Sequence, residues 1–125
     1  MSKVVIIGAG FVGSTAAYAL FIDGAASEIT LLDVNKEKAK GEALDLVHGN
    51  LFAPRTKITY GDSYKLCENA EIIVITAGAH QKPGETRLDL TKKNAGILKG
   101  MISEITKYNK DAVILCVTNP LDVLT

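Results

Sequence analysis

The chain of 125 residues carries 14 basic and 14 acidic side chains, so its formal net charge is zero and neither nucleic acid nor a membrane surface is an expected partner. With 47% hydrophobic residues, no apolar run of membrane-spanning length, and a start, Met-Ser-Lys, that leads straight into a strand, it reads as one cytoplasmic domain over residues 1–125. Cys67 and Cys116 form no C-x-x-C pair and lie at no metal-ligand spacing; both are expected to be reduced and structural, Cys116 inside a buried strand, and no metal site is expected.

Residues 4–7, VVII, form a short apolar run that suits a strand buried on both faces. Gly8, Gly10 and Gly13 follow as G-x-G-x-x-G while the chain turns into a helix over residues 11–22. Gly8 permits the tight turn, Gly10 lacks the Cβ that would keep a pyrophosphate off the backbone, and Gly13 lets helix and strand pack closely. The free amides at the start of that helix, from Phe11 and Val12 on, then face the phosphates of a dinucleotide. Val12, Ala16 and Leu20 are its expected apolar face, and Gly24 is placed to stop it. A second strand is expected over residues 29–33, ending on Asp33, whose carboxylate can take both ribose hydroxyls of an adenosine. A 2′-phosphate there would meet like charge, so NAD is expected over NADP, with Lys36 the nearby cation that could soften the discrimination.

The second helix, from residue 36 to 49 or beyond, carries Ala39, Ala43, Leu46 and Val47 on one side; its lysine-rich first turn opposes the dipole, but the period favours it. Pro54 ends that segment, and residues 57–61 make a third strand. A crossing segment over 62–70, with at most a turn or two of helix, leads to a fourth strand over 71–76. Right-handed crossovers place this strand beside the first, on the side away from the second, so that Gly78 faces the glycine turn across the crevice. After a loop over 77–85, the longest helix spans 87–108, with Thr86 and Asp89 as a capping pair and Ala95, Leu98, Met101, Ile102 and Ile105 as its stripe. A fifth strand over 112–117 is halted by Asn119-Pro120, and the last residues read as the opening of another element. The alternation predicts an α/β fold: a Rossmann-like, doubly wound parallel sheet of about five strands, ordered 3-2-1-4-5, truncated before a sixth strand and a substrate domain. Methyltransferases also place glycines and an acid in this pattern, but the loop after the fourth strand argues against them.

That loop, GAHQKPGETR over residues 78–87, is polar, hinged by Pro83-Gly84, and placed where a lid belongs. Together GAGFVG, LLDV, DLVHG, AGAHQKPGETRLDL with KN close behind, and VTNPLDVLT resemble, over the whole 125 residues and in order, the NAD-binding domain of bacterial L-lactate dehydrogenases. The resemblance implies NAD as cofactor and a small 2-hydroxy or 2-oxo acid as substrate. It implies that Asp33 holds the adenosine ribose and that Thr76, Ala77 and Gly78 line the cofactor. Gln81 corresponds to the loop residue that senses the substrate's C3 substituent, an arginine in malate dehydrogenases of the same superfamily. Arg87 corresponds to the mobile-loop arginine that polarises the substrate carbonyl, and Asn119 to the asparagine that hydrogen-bonds the substrate oxygen near the nicotinamide.

On their residues alone, Asp33 could begin a turn, Arg87 could be an ordinary first-turn helix residue, and Asn119 a turn former before proline. His48, on the second helix, and His80, in the loop without a carboxylate neighbour, are assigned no acid/base role. In the resembling family the proton-relay histidine, its orienting aspartate and the carboxylate-gripping arginine follow the asparagine that Asn119 matches, and none can be assigned here. The expectation is therefore an NAD-binding domain inactive by itself. A malate-type domain, and a non-enzymatic dinucleotide-binding module or folding fragment, are the alternatives. Self-association is expected through Leu44, Leu46 and Val47 or through the edge of the fifth strand.

Overall fold

The computed structural model of the chain describes residues 2–51 and 55–125, so Pro54 lies outside the described residues. Five strands form one parallel sheet: β1 (Lys3–Ile7), β2 (Glu28–Leu32), β3 (Lys57–Gly61), β4 (Ile72–Ile75) and β5 (Val113–Cys116), in the spatial order β3-β2-β1-β4-β5. The expected order holds, and with it the reversal of strand order between β1 and β4. Ile6 stands between Leu31 and Val74 in register, so the sheet's centre is apolar on both faces. Alternation along the strands splits the core in two. Val4, Ile6, Ile29 and Leu31 pack with Ala17, Phe21, Ala39, Ala43 and Leu46, whereas Val5, Ile7, Leu32, Ile73 and Ile75 pack with Cys67, Met101 and Ile105.

The first core face belongs to helices α1 (Phe11–Asp23) and α2 (Lys36–His48). Gly24 ends α1 in the left-handed region at φ 66°, its amide bonding the Leu20 and Phe21 carbonyls. The buried face of α1 is Gly13, Ala17 and Phe21, one residue on from the expected Val12, Ala16 and Leu20. Gly13 must press against Gly8, and that contact fixes the rotation of the helix; Val12 is left exposed, Ala16 and Leu20 at the margin. The lysine-rich start of α2 is stabilised by Asn35, whose side chain accepts from the Lys38 amide. Of its expected apolar side, Ala39, Ala43 and Leu46 are buried and Val47 is exposed.

On the other face, a single 3-10 turn (Tyr64–Cys67) precedes β4, and helix α3 (Arg87–Ile105) precedes β5. α3 is three residues shorter than expected because Asn109 turns the chain: its side chain donates to the Cys67 and Ala70 carbonyls at 2.8 and 2.9 Å and accepts from the Asp111 and Ala112 amides. Ala95, expected in the apolar stripe, is exposed, and Asn94 takes the buried position beside it. β5 is an edge strand with most of its side chains in water, so Cys116 is only half-buried, contrary to the buried strand expected around it. A short helix, α4 (Leu121–Leu124), follows the cis Asn119-Pro120 bond.

Candidate functional site

The carboxyl ends of β1, β2, β4 and β5 come together on one side of the sheet, and the glycine turn after β1 is tied to its neighbours by short bonds. Gly8 donates its amide to Leu32 O at 2.8 Å, while Thr76 Oγ1 donates to the carbonyls of Ile7 and Gly8 at 3.1 and 3.0 Å. Gly8 itself has φ 105°, and a Cβ there would lie 2.8 Å from Thr76 Oγ1 and from the Ala77 nitrogen. At Gly13 a Cβ would overlap the Gly8 carbonyl oxygen. Around Gly10 the space is open, with only Lys38 Nζ within reach, 3.9 Å from where a Cβ would stand. Gly10 is also the N-cap of α1 and offers no side chain to it, so the first amides of the helix remain available to an anion.

Asp33 sits half-buried just past the end of β2, and both of its oxygens are engaged. Oδ2 accepts from the Ala9 amide at 2.7 Å and Oδ1 from the Asn35 amide at 2.8 Å. The carboxylate thus shapes the glycine turn as well as facing the crevice, and each oxygen keeps a lone pair for a further donor. A cavity of about 420 Å³ runs between these groups, bounded by Gly8, Gly10, Phe11, Val12, Gly13, Asp33, Val34, Lys38, Thr76, Ala77, Gly78 and His80. A smaller space of about 50 Å³ adjoins it beneath Asp33, against Tyr64 and Met101. The Tyr64 hydroxyl titrates above its ordinary range, chiefly through burial and secondarily through the charges of Cys67 and Glu104. Burial raises the Cys67 thiol to about 11, outweighing the opposing charge of Lys3, so it is an inert core residue.

The cavity gathers every expected cofactor residue except Asn119, and it leaves out Gln81 and Arg87. The loop that carries Gln81 is folded onto itself: Gln81 Nε2 donates to the Glu85 carbonyl at 2.7 Å, and the Lys82 amide donates to Glu85 Oε2 at 3.0 Å. Arg87 is the first residue of α3 and is exposed, next to the capping box of Thr86 and Asp89. Asn119 contributes its carbonyl, which accepts from Asn94 Nδ2 at 3.4 Å. Asn94 Oδ1 in turn accepts from the Ala79 amide at 2.8 Å, and Thr118 Oγ1 donates to the Ala77 carbonyl at 2.8 Å. The loops after β4 and β5 are therefore held side by side, with the backbone of Gly78 running between Thr118 and Asn94.

The sequence reading assigns no role to Lys38 or Asn94. Of the lysines that open α2, Lys38 lines the cavity and Lys36 does not. Asn94 was detectable by period: it stands four, seven and eleven residues before Leu98, Met101 and Ile105, on the stripe that faces the core.

Residues 2–125 match the family model described as the NAD-binding domain of lactate/malate dehydrogenase. The chain is 54% identical over 125 residues to an L-lactate dehydrogenase of Acetivibrio thermocellus, covering 100% of this chain and 39% of the relative. It is 56% identical over 124 residues to an L-lactate dehydrogenase of Clostridium botulinum, covering 99% of this chain and 39% of the relative. Among solved structures it is similar to a lactate dehydrogenase from a Medee basin deep-sea metagenome library, with a TM-score of 0.94 at 48% identity, over 98% of this chain and 39% of that one. The minor L-lactate dehydrogenase of Enterococcus mundtii superposes with a TM-score of 0.91 at 44% identity, over 95% of this chain and 38% of that one. The chain spans about two fifths of the length of the relatives it matches.

Proposed function

The chain belongs to the lactate/malate dehydrogenase family, within its NAD-binding domain, and we propose that it is the cofactor-binding part of an L-lactate dehydrogenase, folding over residues 1–125 as one unit. The observation that carries the cofactor half of this reading is the uncapped start of α1, which opens on the cavity opposite Asp33. The amides of Phe11, Val12 and Gly13 receive the pyrophosphate, with Lys38 close by as a counter-charge, and Asp33 receives the adenosine ribose diol. Thr76, Ala77, Gly78 and Asn119 form the wall at the nicotinamide end.

NAD, when bound, supplies the hydride acceptor or donor for a 2-hydroxy or 2-oxo acid. The Arg87 guanidinium, a planar fork of N–H donors, stabilises negative charge growing on the substrate oxygen once the lid closes. Asn119 orients that oxygen by a hydrogen bond, and Gln81 selects the substituent at C3. Gln81 supports lactate and pyruvate over malate and oxaloacetate, for which the superfamily uses an arginine at this position. The two unpaired cysteines suit a reducing, cytoplasmic compartment, and the apolar side chains exposed on β5 and α2 support self-association.

Fluorescence titration with NADH and NADPH, followed by a pyruvate-reduction assay on the same sample, tests this. Saturable NADH binding with much weaker NADPH binding is expected. Turnover by the 125-residue chain is expected at background, since a missing general acid alone lowers rates by about 100- to 10,000-fold. Absence of NADH binding overturns the cofactor assignment; saturable turnover overturns the view that the proton-transfer group lies outside these residues, and points first to His80.

A further inference from the structure

Among the described residues three polar side chains are buried: Thr30, Thr56 and Asn94. The first two stay within the framework, Thr30 sharing a hydrogen bond with Thr59 on the adjacent strand and Thr56 donating to the Ala26 carbonyl. Asn94 does something different. It is 4% exposed on α3, and its amide group reaches two separate loops, accepting from Ala79 N at 2.8 Å and donating to Asn119 O at 3.4 Å. We propose that Asn94 is a positioning residue that sets the spacing between the loop after β4 and the loop after β5, and so the shape of the nicotinamide end of the site; this rests on the NAD-binding reading above.

A carboxamide suits the task because it carries an acceptor and a donor on one planar group, so one side chain from a rigid helix satisfies one backbone group in each loop. Leucine fills similar space with neither. Aspartate keeps the acceptor for Ala79 but turns a second acceptor toward the Asn119 carbonyl. The neighbouring packing leaves little slack: a Cβ on Gly78 would come 2.7 Å from Thr118 Cγ2 and 3.6 Å from Asn94 Oδ1, so that backbone is gripped from both sides. Asn94 has no bond to the glycine turn or to Asp33, which hold the adenosine end. Its loss is therefore felt at one end of the cofactor only.

The test compares the 125-residue wild type with Asn94→Leu and Asn94→Asp by titration with NADH and with ADP, and follows amide exchange at Ala79 in the wild type by NMR. Asn94→Leu is expected to weaken NADH about tenfold, the loss of a hydrogen bond whose partner is left unmet, while ADP changes by less than about twofold. Asn94→Asp, which buries an unpaired carboxylate against the Asn119 carbonyl, is expected to weaken NADH at least as much as Asn94→Leu, again with ADP little changed, and the wild-type Ala79 amide to exchange as slowly as the middle of α3. A merely structural role would weaken both ligands together. Equal weakening of both, weakening of neither, or rapid exchange at Ala79 overturns the proposal, and the exchange result decides alone if neither variant folds. A wild type that binds neither NADH nor ADP overturns the cofactor reading and this one with it, whereas normal wild-type binding with indifferent variants overturns this one alone.

Discussion

Gly10 and Gly13 stand three residues apart in one turn, and their surroundings ask different things of them. A Cβ at Gly13 overlaps the Gly8 carbonyl, so Gly13→Ala forces β1 and α1 apart and is expected to destabilise the fold by about 2–4 kcal/mol. A Cβ at Gly10 meets open space, so Gly10→Ala should change stability by no more than about 1 kcal/mol yet obstruct the pyrophosphate. Thermal melts and NADH titrations separate the two; a Gly10→Ala variant that binds NADH normally would remove the phosphates from this loop. Asp33→Ser should narrow the preference for NADH over NADPH, and because Asp33 also holds the Ala9 and Asn35 amides, it should weaken NADH itself by about tenfold. Equal affinity of the wild type for both nucleotides would show that Asp33 does not face the ribose. These positions are legible in sequence because their constraint is local: a turn, a helix start, a strand end. The double duty of Asp33 is not legible, since Ala9 is 24 residues away in the chain.

Elements were readable where caps and periods agree, and shifted where a contact from elsewhere fixed the phase. Gly24 and the Thr86–Asp89 pair end and begin helices as their chemistry predicts, while the face of α1 is rotated by one residue because Gly13 must meet Gly8. The capping box gives a pH-dependent prediction at the start of α3. The side-chain and then the backbone hydrogen bond from Thr86 hold the Asp89 carboxyl below the ordinary aspartate range. A carboxyl lowered on folding contributes stability that is present above its unfolded pKa, about 3.9, and is lost as pH falls through the lower folded value. Asp89→Asn should flatten the acid limb of the stability profile in that window, and Thr86→Ala should cost about 1 kcal/mol at neutral pH while shrinking the same limb without abolishing it, because the backbone amide at position 86 still donates to the carboxylate. Urea melts between neutral pH and the acid limb check both; an unchanged profile in Asp89→Asn would mean that the box forms without helping the helix.

At the scale of the whole molecule, the order of the strands and the gathering of their carboxyl ends follow from alternation and from the preferred hand of crossovers, which is why the place of the crevice is legible in the sequence. Exposure could not be read in the same way, because an apolar run looks alike in a central and an edge strand. β5 pairs only with β4, and Val113 and Leu115 are 66% and 53% exposed, so this edge offers both unpaired backbone groups and apolar side chains. α2 leaves Leu44 and Val47 exposed, but Leu46, expected on that surface, is 7% exposed and belongs to the core. Leu46→Glu would therefore unfold the helix and say nothing of an interface. Sealing a few half-exposed aliphatic side chains on each copy is worth several kcal/mol, at roughly 25 cal/mol per Å². Association itself costs about 4–15 kcal/mol, so weak dimers are expected, populated only at high concentration. The edge of β5 is the favoured route, because strand pairing adds directional hydrogen bonds that a helix face lacks. Light scattering over a concentration series should show the mass rising, Leu115→Lys should return it to that of a monomer, and Val47→Glu should leave it unchanged. A monomer at every concentration refutes self-association, and a dimer that resists Leu115→Lys but dissolves with Val47→Glu moves the interface to α2.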